Sequence, residues 1–482
     1  MRLGQTSAIY FISKLLLSVF GFLATIFFTR TLGDEIYGFY ALTLALVSWL
    51  GIVKSVGFGG AIIKRMSEGE EPDAYLAAGT AIKATLTTIV AFGVFVFQAQ
   101  VNAYVGQPVA ELVVVLLIVS IASGLVSAAL KGTHRVHIYA PLKTAQEAAI
   151  TISMVALVYL GWELTGMLVG HALGTALIAL VGLIIVRPQL VIPRRHHVTR
   201  LVDYAKYSWL GSLEKKTINE MDILVLGFFV SAGLTGVYAV AYSLSKFLEL
   251  FGSAISNTLF PEMSKLSAEN DLQMIEKLTI DALSFSGLFL VPGILGAAIL
   301  GDRLMLIYGP EFEIGEQVLV LLLIAVLIYT YSRQLFTTLN ALDRPDLAFR
   351  ANGVVVIANI ILNVTLIYSI GWIGAAIATA LSAAIGFSFA LYYVRTQITL
   401  GLPYAELSRQ WIAALCMGAV VYLARYLGEA NLAWVDDFNA VFVVHLVGLG
   451  AAVYFVLLLG ISSTFRTTVI NNLPFAVPLL DR

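Results

Sequence analysis

Cysteine is almost absent from this chain, because Cys416 is the only one among 482 residues. A disulfide within the chain and a metal site built from several cysteines are therefore excluded. Charged residues are also scarce, at 12%, whereas an average soluble domain carries about 25%. Hydrophobic residues make up 59% of the chain, and the mean hydropathy is +0.89. This composition predicts an all-α membrane protein that crosses the bilayer many times.

Motifs of the common enzyme classes are missing as well. The chain contains no phosphate-binding glycine loop, no HExxH motif and no candidate for a catalytic triad. The net charge of −1 says little, since the distribution of charge matters more than its sum in a membrane protein. We therefore expect no catalytic residues, no cofactor, no bound metal and no nucleic-acid partner.

Apolar stretches of about 20 residues alternate with short breaks marked by polar residues, glycine or proline. Cutting the chain at these breaks predicts fourteen transmembrane helices. Their ranges are 8–28, 39–62, 76–98, 110–130, 143–160, 164–186, 206–229, 234–258, 279–300, 316–339, 348–369, 372–394, 408–427 and 439–460. Between spans eight and nine, we expect PEMSKLSAENDLQMIEKL to form a short amphipathic surface helix.

The positive charges predict the orientation of these spans, because cytoplasmic loops are enriched in lysine and arginine. Of the 29 such residues, nineteen lie in the even-numbered loops and the termini, and seven lie within spans. The odd-numbered loops hold only Arg30, Arg303 and Arg425. Both termini are therefore expected in the cytoplasm, which agrees with an even number of spans.

The chain also resembles itself at an offset of about 200 residues. GFYALTLAL at 38–46 matches GVYAVAYSL at 236–244, and LKGTHR at 130–135 matches LNALDR at 339–344. Spans 1–6 are thus predicted to repeat as spans 7–12 in the same orientation, which is a transporter design with the site between the halves. The predicted parts are an N-lobe at 1–200, a C-lobe at 201–400, and two additional spans with a tail at 401–482.

The seventh span is unusual, because its middle carries five charged side chains. A charge inside a bilayer costs from a few to more than about ten kcal/mol unless it faces water or a partner. We therefore expect this helix to line a hydrated cavity. Its charged and amide residues are Glu214, Lys215, Lys216, Asn219, Glu220 and Asp222. At about 100° per residue, Lys215, Asn219 and Asp222 share one narrow arc of the helix.

Several motifs, taken in order along the chain, resemble those of oligosaccharide flippases of the multidrug/oligosaccharidyl-lipid/polysaccharide exporter superfamily. They are RTLGDEIYGFYALTLA at 30–45, NTLFPEMSKL at 257–266, IYGPEFEIGEQVLVLLL at 307–323, LNALDRPDLA at 339–348 and GWIGAAIATALS at 371–382. The resemblance covers essentially the whole chain. It implies two six-helix lobes around a central cavity, with two further C-terminal helices.

Members of that group move polyprenyl-linked sugars from the cytoplasmic to the external face of the cell membrane. MDILVLGFFVS at 221–231 and GVYAVAYSLS at 236–245 look most like the archaeal branch. The resemblance then implies a dolichol phosphate or diphosphate carrier, and a glycan for N-glycosylation of surface proteins such as the S-layer, or for surface polysaccharide. Membrane lipids, glycosyltransferases and an oligosaccharyltransferase would be its partners.

A lipid-linked sugar combines an anionic phosphate, a polar glycan and an apolar tail. Cations in a cavity suit the phosphate, because a desolvated charge pair is stronger than one at a surface. The candidate substrate-binding residues are Lys14, Arg30, Lys54, Lys83, Lys215, Asn219, Asp222, Lys246 and Arg333. Three of them outside the seventh span have a structural alternative: Lys246 can pair with Glu249, three residues on, and Lys14 and Lys83 can extend to the membrane surface.

The charges of the seventh span have alternatives of their own. Lys216 and Glu220, four residues apart, would form a static ion pair, and Lys215 would pair with Asp222. Glu214, Glu220 and Asp222 are also candidates for coupling transport to a proton or Na⁺, because a buried carboxylate suits either ion. The sequence does not choose between these alternatives.

Other polar residues within the spans favour structural roles. Asn352, Asn359 and Asn363 share one face of span eleven, where they are expected to join helices, with sugar contact as the alternative. His171 and His445 are expected to be packed and hydrogen-bonded.

Two other functions compete with glycan transport. A multidrug antiporter of the same superfamily would have fewer cations in its cavity and twelve spans. A polyprenyl-dependent glycosyltransferase would need a long external loop, whereas Asp34 and Glu35 lie in a short turn, where helix capping is expected.

Overall fold

The computed structural model describes the backbone of residues 3–55, 57–189 and 191–472. It describes the side chains of residues 20–51, 57–189, 191–205, 216, 217 and 220–470. Throughout this described part the chain is helical and contains no β-strand. It divides into two compact units, Met1–Ala239 and Val240–Arg482.

The first unit contains eight helices and the start of a ninth. They are α1 (Leu3–Ser55), α2 (Phe58–Ser67), α3 (Pro72–Val96), α4 (Gln98–Val105), α5 (Ala110–Gly132), α6 (Val136–Tyr159), α7 (Glu163–Val186), α8 (Arg195–Phe229) and α9 (Ala232–Ala268). Its core joins α1, α3, α5 and α7 through buried side chains such as Leu42, Val94, Leu117 and Leu168. The boundary between the units falls within α9.

The second unit contains the rest of α9 and eight more α-helices. They are α10 (Leu272–Ser286), α11 (Leu290–Leu306), α12 (Glu316–Ala341), α13 (Pro345–Ile370), α14 (Trp372–Arg395), α15 (Tyr404–Asn431), α16 (Asn439–Ile461) and α17 (Ser463–Asn472). A 3₁₀ helix, Pro310–Gly315, precedes α12. Ile275, Leu335, Leu339, Ala390 and Val394 form much of its core, which joins α10, α12 and α14.

These helices confirm the predicted all-α fold. Among the described residues, nine helical segments are long and apolar enough to cross a membrane. Ten of the fourteen predicted spans lie within one helix each, whereas the spans at 39–62, 76–98, 143–160 and 279–300 run past a helix end or across a break between two helices. The segment expected to form a separate surface helix instead ends α9 and begins α10, because α9 continues through Pro261 to Ala268.

The first two predicted spans also differ from expectation, because α1 is one helix with a kink. Gly33 interrupts it with φ 79° and ψ 179°, a backbone conformation that glycine adopts without strain. The second predicted span then breaks near Gly57, whose left-handed φ of 75° precedes α2. The predicted division into lobes at residues 200 and 400 stays a prediction.

Beyond the kink, α1 and the start of α9 approach each other at backbone distance within the first unit. A methyl group at Gly38 would overlap the carbonyl of Ala232, and one at Gly236 would overlap the carbonyl of Asp34. Only glycine allows helices to approach so closely. Gly38 and Gly236 occupy the same position in the two copies of the sequence repeat.

Candidate functional site

Two of the predicted cations in the second unit share one carboxylate. Glu249 on α9 accepts a hydrogen bond from Lys246 Nζ at 2.7 Å and another from Arg333 on α12 at 3.2 Å. The side chain of Glu249 is 10% exposed, against 24% for Lys246 and 33% for Arg333. Among the side chains that the structure describes, two cations and one carboxylate leave one positive charge uncompensated. We call these three residues the Glu249 cluster.

Tyrosine rings hold the lysine of the Glu249 cluster. Lys246 Nζ lies 4.9 Å from the centroid of the Tyr329 ring and 5.5 Å from that of Tyr242. A cation over an aromatic face gains roughly 0.5–2 kcal/mol, depending on how far it is desolvated. The rings position the ammonium without neutralising it, so the net positive charge of the cluster persists.

Lys83 on α3 is the corresponding isolated cation of the first unit. Its ammonium faces Gly59 on α2 and Gly124 on α5, at 3.9 and 3.8 Å from where their Cβ atoms would lie. Within the described part of the chain, Lys83 forms no hydrogen bond or ion pair. The two glycines place no side chain beside its charge.

The ion pair expected on the seventh span is present in α8. Lys216 Nζ lies 3.5 Å from Glu220 Oε1, and it also donates to Ser48 Oγ on α1. Both side chains are about one-third exposed, at 33% and 30%. These contacts tie α8 to α1. The coupling role predicted for Glu220 stays a prediction.

Asp222 has a partner that the sequence reasoning missed. Its Oδ2 accepts a hydrogen bond of 2.6 Å from the hydroxyl of Tyr238 on α9, and both side chains are buried. The repeat contained the signal, because Tyr238 in GVYAVA corresponds to Tyr40 in GFYALT.

Tyr40 makes the equivalent contact elsewhere in the same unit. Its hydroxyl lies 3.2 Å from Nδ1 of His171 on α7 and 3.6 Å from the sulfur of Met154 on α6. His171 was expected to be packed and hydrogen-bonded, and it is. Each copy of the repeat thus presents a tyrosine hydroxyl to a titratable side chain of another helix.

Five predicted site residues lie outside the described side chains: Lys14, Lys54, Glu214, Lys215 and Asn219. The roles of these residues stay predictions. Arg30 is described, and its exposed side chain lies on α1 three residues before the kink at Gly33. It takes part in at least one contact within the structure.

Two of the three asparagines on the predicted face of α13 are buried. Asn359 is 2% exposed and Asn363 is fully buried. The Asn363 amide donates to the Asn359 carbonyl at 3.1 Å, a bond that runs within α13. Asn359 Oδ1 has no hydrogen-bond partner among the described residues. On α16, His445 Nδ1 lies 2.8 Å from the Val441 carbonyl, but the side chain is exposed, so the expectation that it is packed was wrong.

A histidine–carboxylate group joins the α2–α3 loop to the start of α8. His197 is 1% exposed; its Nδ1 accepts from the Arg194 amide at 3.0 Å, so its Nε2 donates to Glu71 at 2.7 Å. This bond, with nearby positive charge, lowers the pKa of the Glu71 carboxyl. With His196, the three donor atoms lie within 4.8 Å and could hold a metal ion. The proton on His197 Nε2 works against that role, because a metal needs the nitrogen lone pair.

Comparison with known proteins gives a consistent result. The family model described as "Polysaccharide biosynthesis protein" matches residues 3–267. The "Probable flippase AglR" of Haloferax volcanii is 30% identical over 476 residues, which cover 97% of this chain and 98% of that protein. The "Probable low-salt glycan biosynthesis flippase Agl15" of the same organism is 28% identical over 480 residues, covering 99% and 100%.

Among solved structures, "Lipid II flippase MurJ, inward closed conformation" is similar with a TM-score of 0.79. The match covers 96% of this chain and 100% of that one, at 17% sequence identity. At such low identity the match shows a shared fold and nothing about cargo. Together, the matches confirm the predicted resemblance to oligosaccharide flippases.

Proposed function

The chain belongs to the polysaccharide biosynthesis protein family, and we propose that it is a flippase for a glycan linked to a polyprenyl phosphate. The cargo is a dolichol-phosphate- or diphosphate-linked oligosaccharide, which moves from the cytoplasmic to the external face of the cell membrane by alternating access. Both termini lie in the cytoplasm in this arrangement. The named relatives support a glycan as cargo, and the positive charges support a phosphate.

The observation that carries this proposal is the uncompensated charge of the Glu249 cluster. A phosphodiester brings one negative charge and several acceptor oxygens. It can take the hydrogen bonds that Lys246 and Arg333 now give to Glu249, and it brings the local charge to zero. Arginine suits this exchange especially well, because its planar fork matches two oxygens at once.

Lys83 supplies a second point of attraction in the first unit. Its charge faces two glycines and meets no anion among the described residues. A cargo with a diphosphate, or with acidic sugars, would gain from a second cation. Lys14, Lys54 and Lys215 extend this set in the proposal, together with Arg30, Asn219 and Asp222.

In this role the protein breaks no covalent bond of its cargo. Glycosyltransferases build the lipid-linked glycan on the inner face, and an oligosaccharyltransferase or a polysaccharide assembly system uses it outside. The long apolar tail stays in the lipid, so only the phosphate and the sugars need a polar path. Surface glycosylation, such as that of an S-layer, is the expected destination.

Reconstitution with a defined probe tests the proposal. We expect liposomes that contain the protein to move a fluorescent dolichyl phosphate mannose between leaflets, measured by quenching from outside. Arg333→Gln and Lys246→Gln should each lower the rate about tenfold or more, since a hydrogen bond to a charged group contributes about 1.5–3 kcal/mol.

Two comparisons make this test specific. Lys265→Gln is the matched control, because that lysine is 76% exposed and pairs with Glu269 on the surface. It should leave the rate unchanged. Equal rates for wild type and Arg333→Gln, with both proteins inserted in equal amounts, would contradict the proposed role of the cluster. A wild type that leaves the probe in place contradicts the function itself.

A further inference from the structure

The first unit contains a half-open cavity of about 420 Å³ between α1, α5, α6 and α7, with polar and apolar lining. Its polar lining includes Ser123, Lys143, Gln146, Glu147, His171 and Thr175. A cavity of this volume has room for several water molecules.

The cavity connects an exposed end with a buried one. At the exposed end, Lys143 and Glu147 form an ion pair of 2.6 Å, with side chains 46% and 51% exposed. This is the end that the charge pattern assigns to the cytoplasm. At the other end lies His171, eight residues into α7 and therefore about 12 Å from the end of that helix that the charge pattern places outside. That depth is close to the middle of a hydrocarbon layer of about 30 Å.

The hydroxyl of Tyr40 has two possible acceptors at the buried end, His171 Nδ1 at 3.2 Å and the sulfur of Met154 at 3.6 Å. When the imidazole is neutral with its proton on Nε2, Tyr40 donates to Nδ1. When the imidazole gains a proton, Nδ1–H donates to the tyrosine oxygen instead. The hydroxyl hydrogen must then turn away, and Met154 offers it an acceptor.

We propose that His171 is a proton-binding site, reached through this cavity from the cytoplasmic side, that couples a proton to transport. This role rests on the proposed function. A proton from cytoplasmic water protonates the Glu147 carboxylate and passes along cavity water to His171. Glu147 returns to the carboxylate form, and the imidazole becomes an imidazolium. No oxidant, metal or other cofactor takes part.

The protonation state of His171 acts on α1 through Tyr40. Two residues before Tyr40, Gly38 packs against the backbone of Ala232 at the start of α9, with no space for a methyl group. A rotation of α1 that follows the change at Tyr40 therefore changes this contact. Protonation of His171 is thereby coupled to the contact between α1 and α9, where the repeat-related Gly38 and Gly236 lie.

Several ionisable groups line the same cavity as His171. From α6 these are Glu147, Lys143 and the hydroxyl of Tyr139. From α1, Tyr40 faces the ring, and Tyr37 lies behind it with ring centroids 6.2 Å apart. In this cavity α5 contributes hydroxyl and apolar groups but no ionisable side chain.

Nuclear magnetic resonance of the purified protein tests the proton site without any cargo. The chain has only six histidines, so nitrogen-labelled imidazoles give few signals. His171→Gln assigns the His171 signal by its loss. In liposomes, we expect this ring to change protonation state between about pH 5 and 8. A ring that stays neutral over this range overturns the proposal, whatever the transport assay shows.

The transport assay then tests the coupling. With one proton per cargo, a gradient of one pH unit should change the steady-state ratio of fluorescent dolichyl phosphate mannose between the leaflets about tenfold. His171→Gln should lose this response and still bind the probe, whereas His445→Gln should keep it. A pH response that survives in His171→Gln overturns the coupling role. A wild type that does not move the probe overturns the proposed function, and the resonance experiment alone then decides the proton site.

Discussion

The two units bury their polar groups in different ways. In the first unit, two repeat-related tyrosines each present a hydroxyl to one titratable side chain, Tyr40 to His171 and Tyr238 to Asp222. In the second unit, one carboxylate is held between two full positive charges in the Glu249 cluster. In the proposed mechanism, the first arrangement changes with one proton, whereas the second changes when another anion arrives.

This difference suggests a division of labour within the transporter. A tyrosine can donate or accept, so its hydrogen bond survives a change in the charge of its partner. Lysine and arginine only donate, so their contacts need an acceptor, and in the proposed function that acceptor is a phosphate. Substitutions at three places in the molecule test this difference and the contacts around it.

The largest effect is expected at the backbone contact between α1 and α9. Gly38→Ala places a methyl group where the Ala232 carbonyl lies, so the helices must separate. Overpacking of this kind costs about 1–3 kcal/mol. We expect transport to be lost and the melting temperature in detergent to fall. Gly21→Ala in the same helix is the control, because no atom of the described residues lies within 4 Å of its added methyl group. Equal behaviour of the two variants would contradict the close approach.

An intermediate effect is expected when the two tyrosines lose their hydroxyls. Tyr238→Phe removes a 2.6 Å donor from a buried carboxylate, whereas Tyr40→Phe removes a 3.2 Å partner from an imidazole beside a cavity. Hydrogen bonds to charged groups contribute about 1.5–3 kcal/mol, and neutral ones about 1 kcal/mol. Chemical denaturation should therefore show the larger loss in Tyr238→Phe. The opposite order would mean that the repeat-related pairs do not differ as described.

The smallest effect is expected at the Glu71–His197 contact. The bond from His197 lowers the pKa of Glu71 below its ordinary value of 4.5. A depressed pKa stabilises the fold above the unfolded pKa, and this contribution disappears as the pH falls through the folded value. Below about pH 4.5, amide exchange at the start of α3 should therefore rise in wild type relative to Glu71→Gln at the same pH. Glu68→Gln, which alters a neighbouring carboxylate, should behave like wild type, and a rise in all three proteins would contradict the prediction.

The sequence predicted an all-α membrane fold, because long apolar runs can be recognised in any short stretch of sequence. The orientation inferred from the loop charges stays a prediction. The sequence also predicted contacts between residues one helical turn apart, such as Lys246 with Glu249 and Lys216 with Glu220. The contact from Arg333 to Glu249 was not predictable in this way. It joins residues 84 positions apart, so it depends on how α9 and α12 pack.

The sequence repeat contained a signal for the tyrosine contacts, but they were not predicted. The repeat aligns Tyr40 with Tyr238, which marks both as special, but nothing in the pattern indicates that one partner is a histidine and the other an aspartate. Partner identity depends on the rotation of α7 and α8 about their axes, and periodicity alone leaves that rotation free. The kink at Gly33 was not predicted for a similar reason. The chain is helical on both sides of it, so LGDEIYG lies within α1 and does not form the separate turn that was expected.

The Glu249 carboxylate has a consequence for timing. In the proposed function this anion competes with every phosphate that arrives, and because it is tethered beside the two cations it is always present. In that role it limits how tightly cargo is held and shortens the time that each lipid stays bound. Glu249→Gln removes this competing anion, so the variant should bind each lipid more tightly and transport it more slowly. Weaker binding of each lipid is what allows many turnovers.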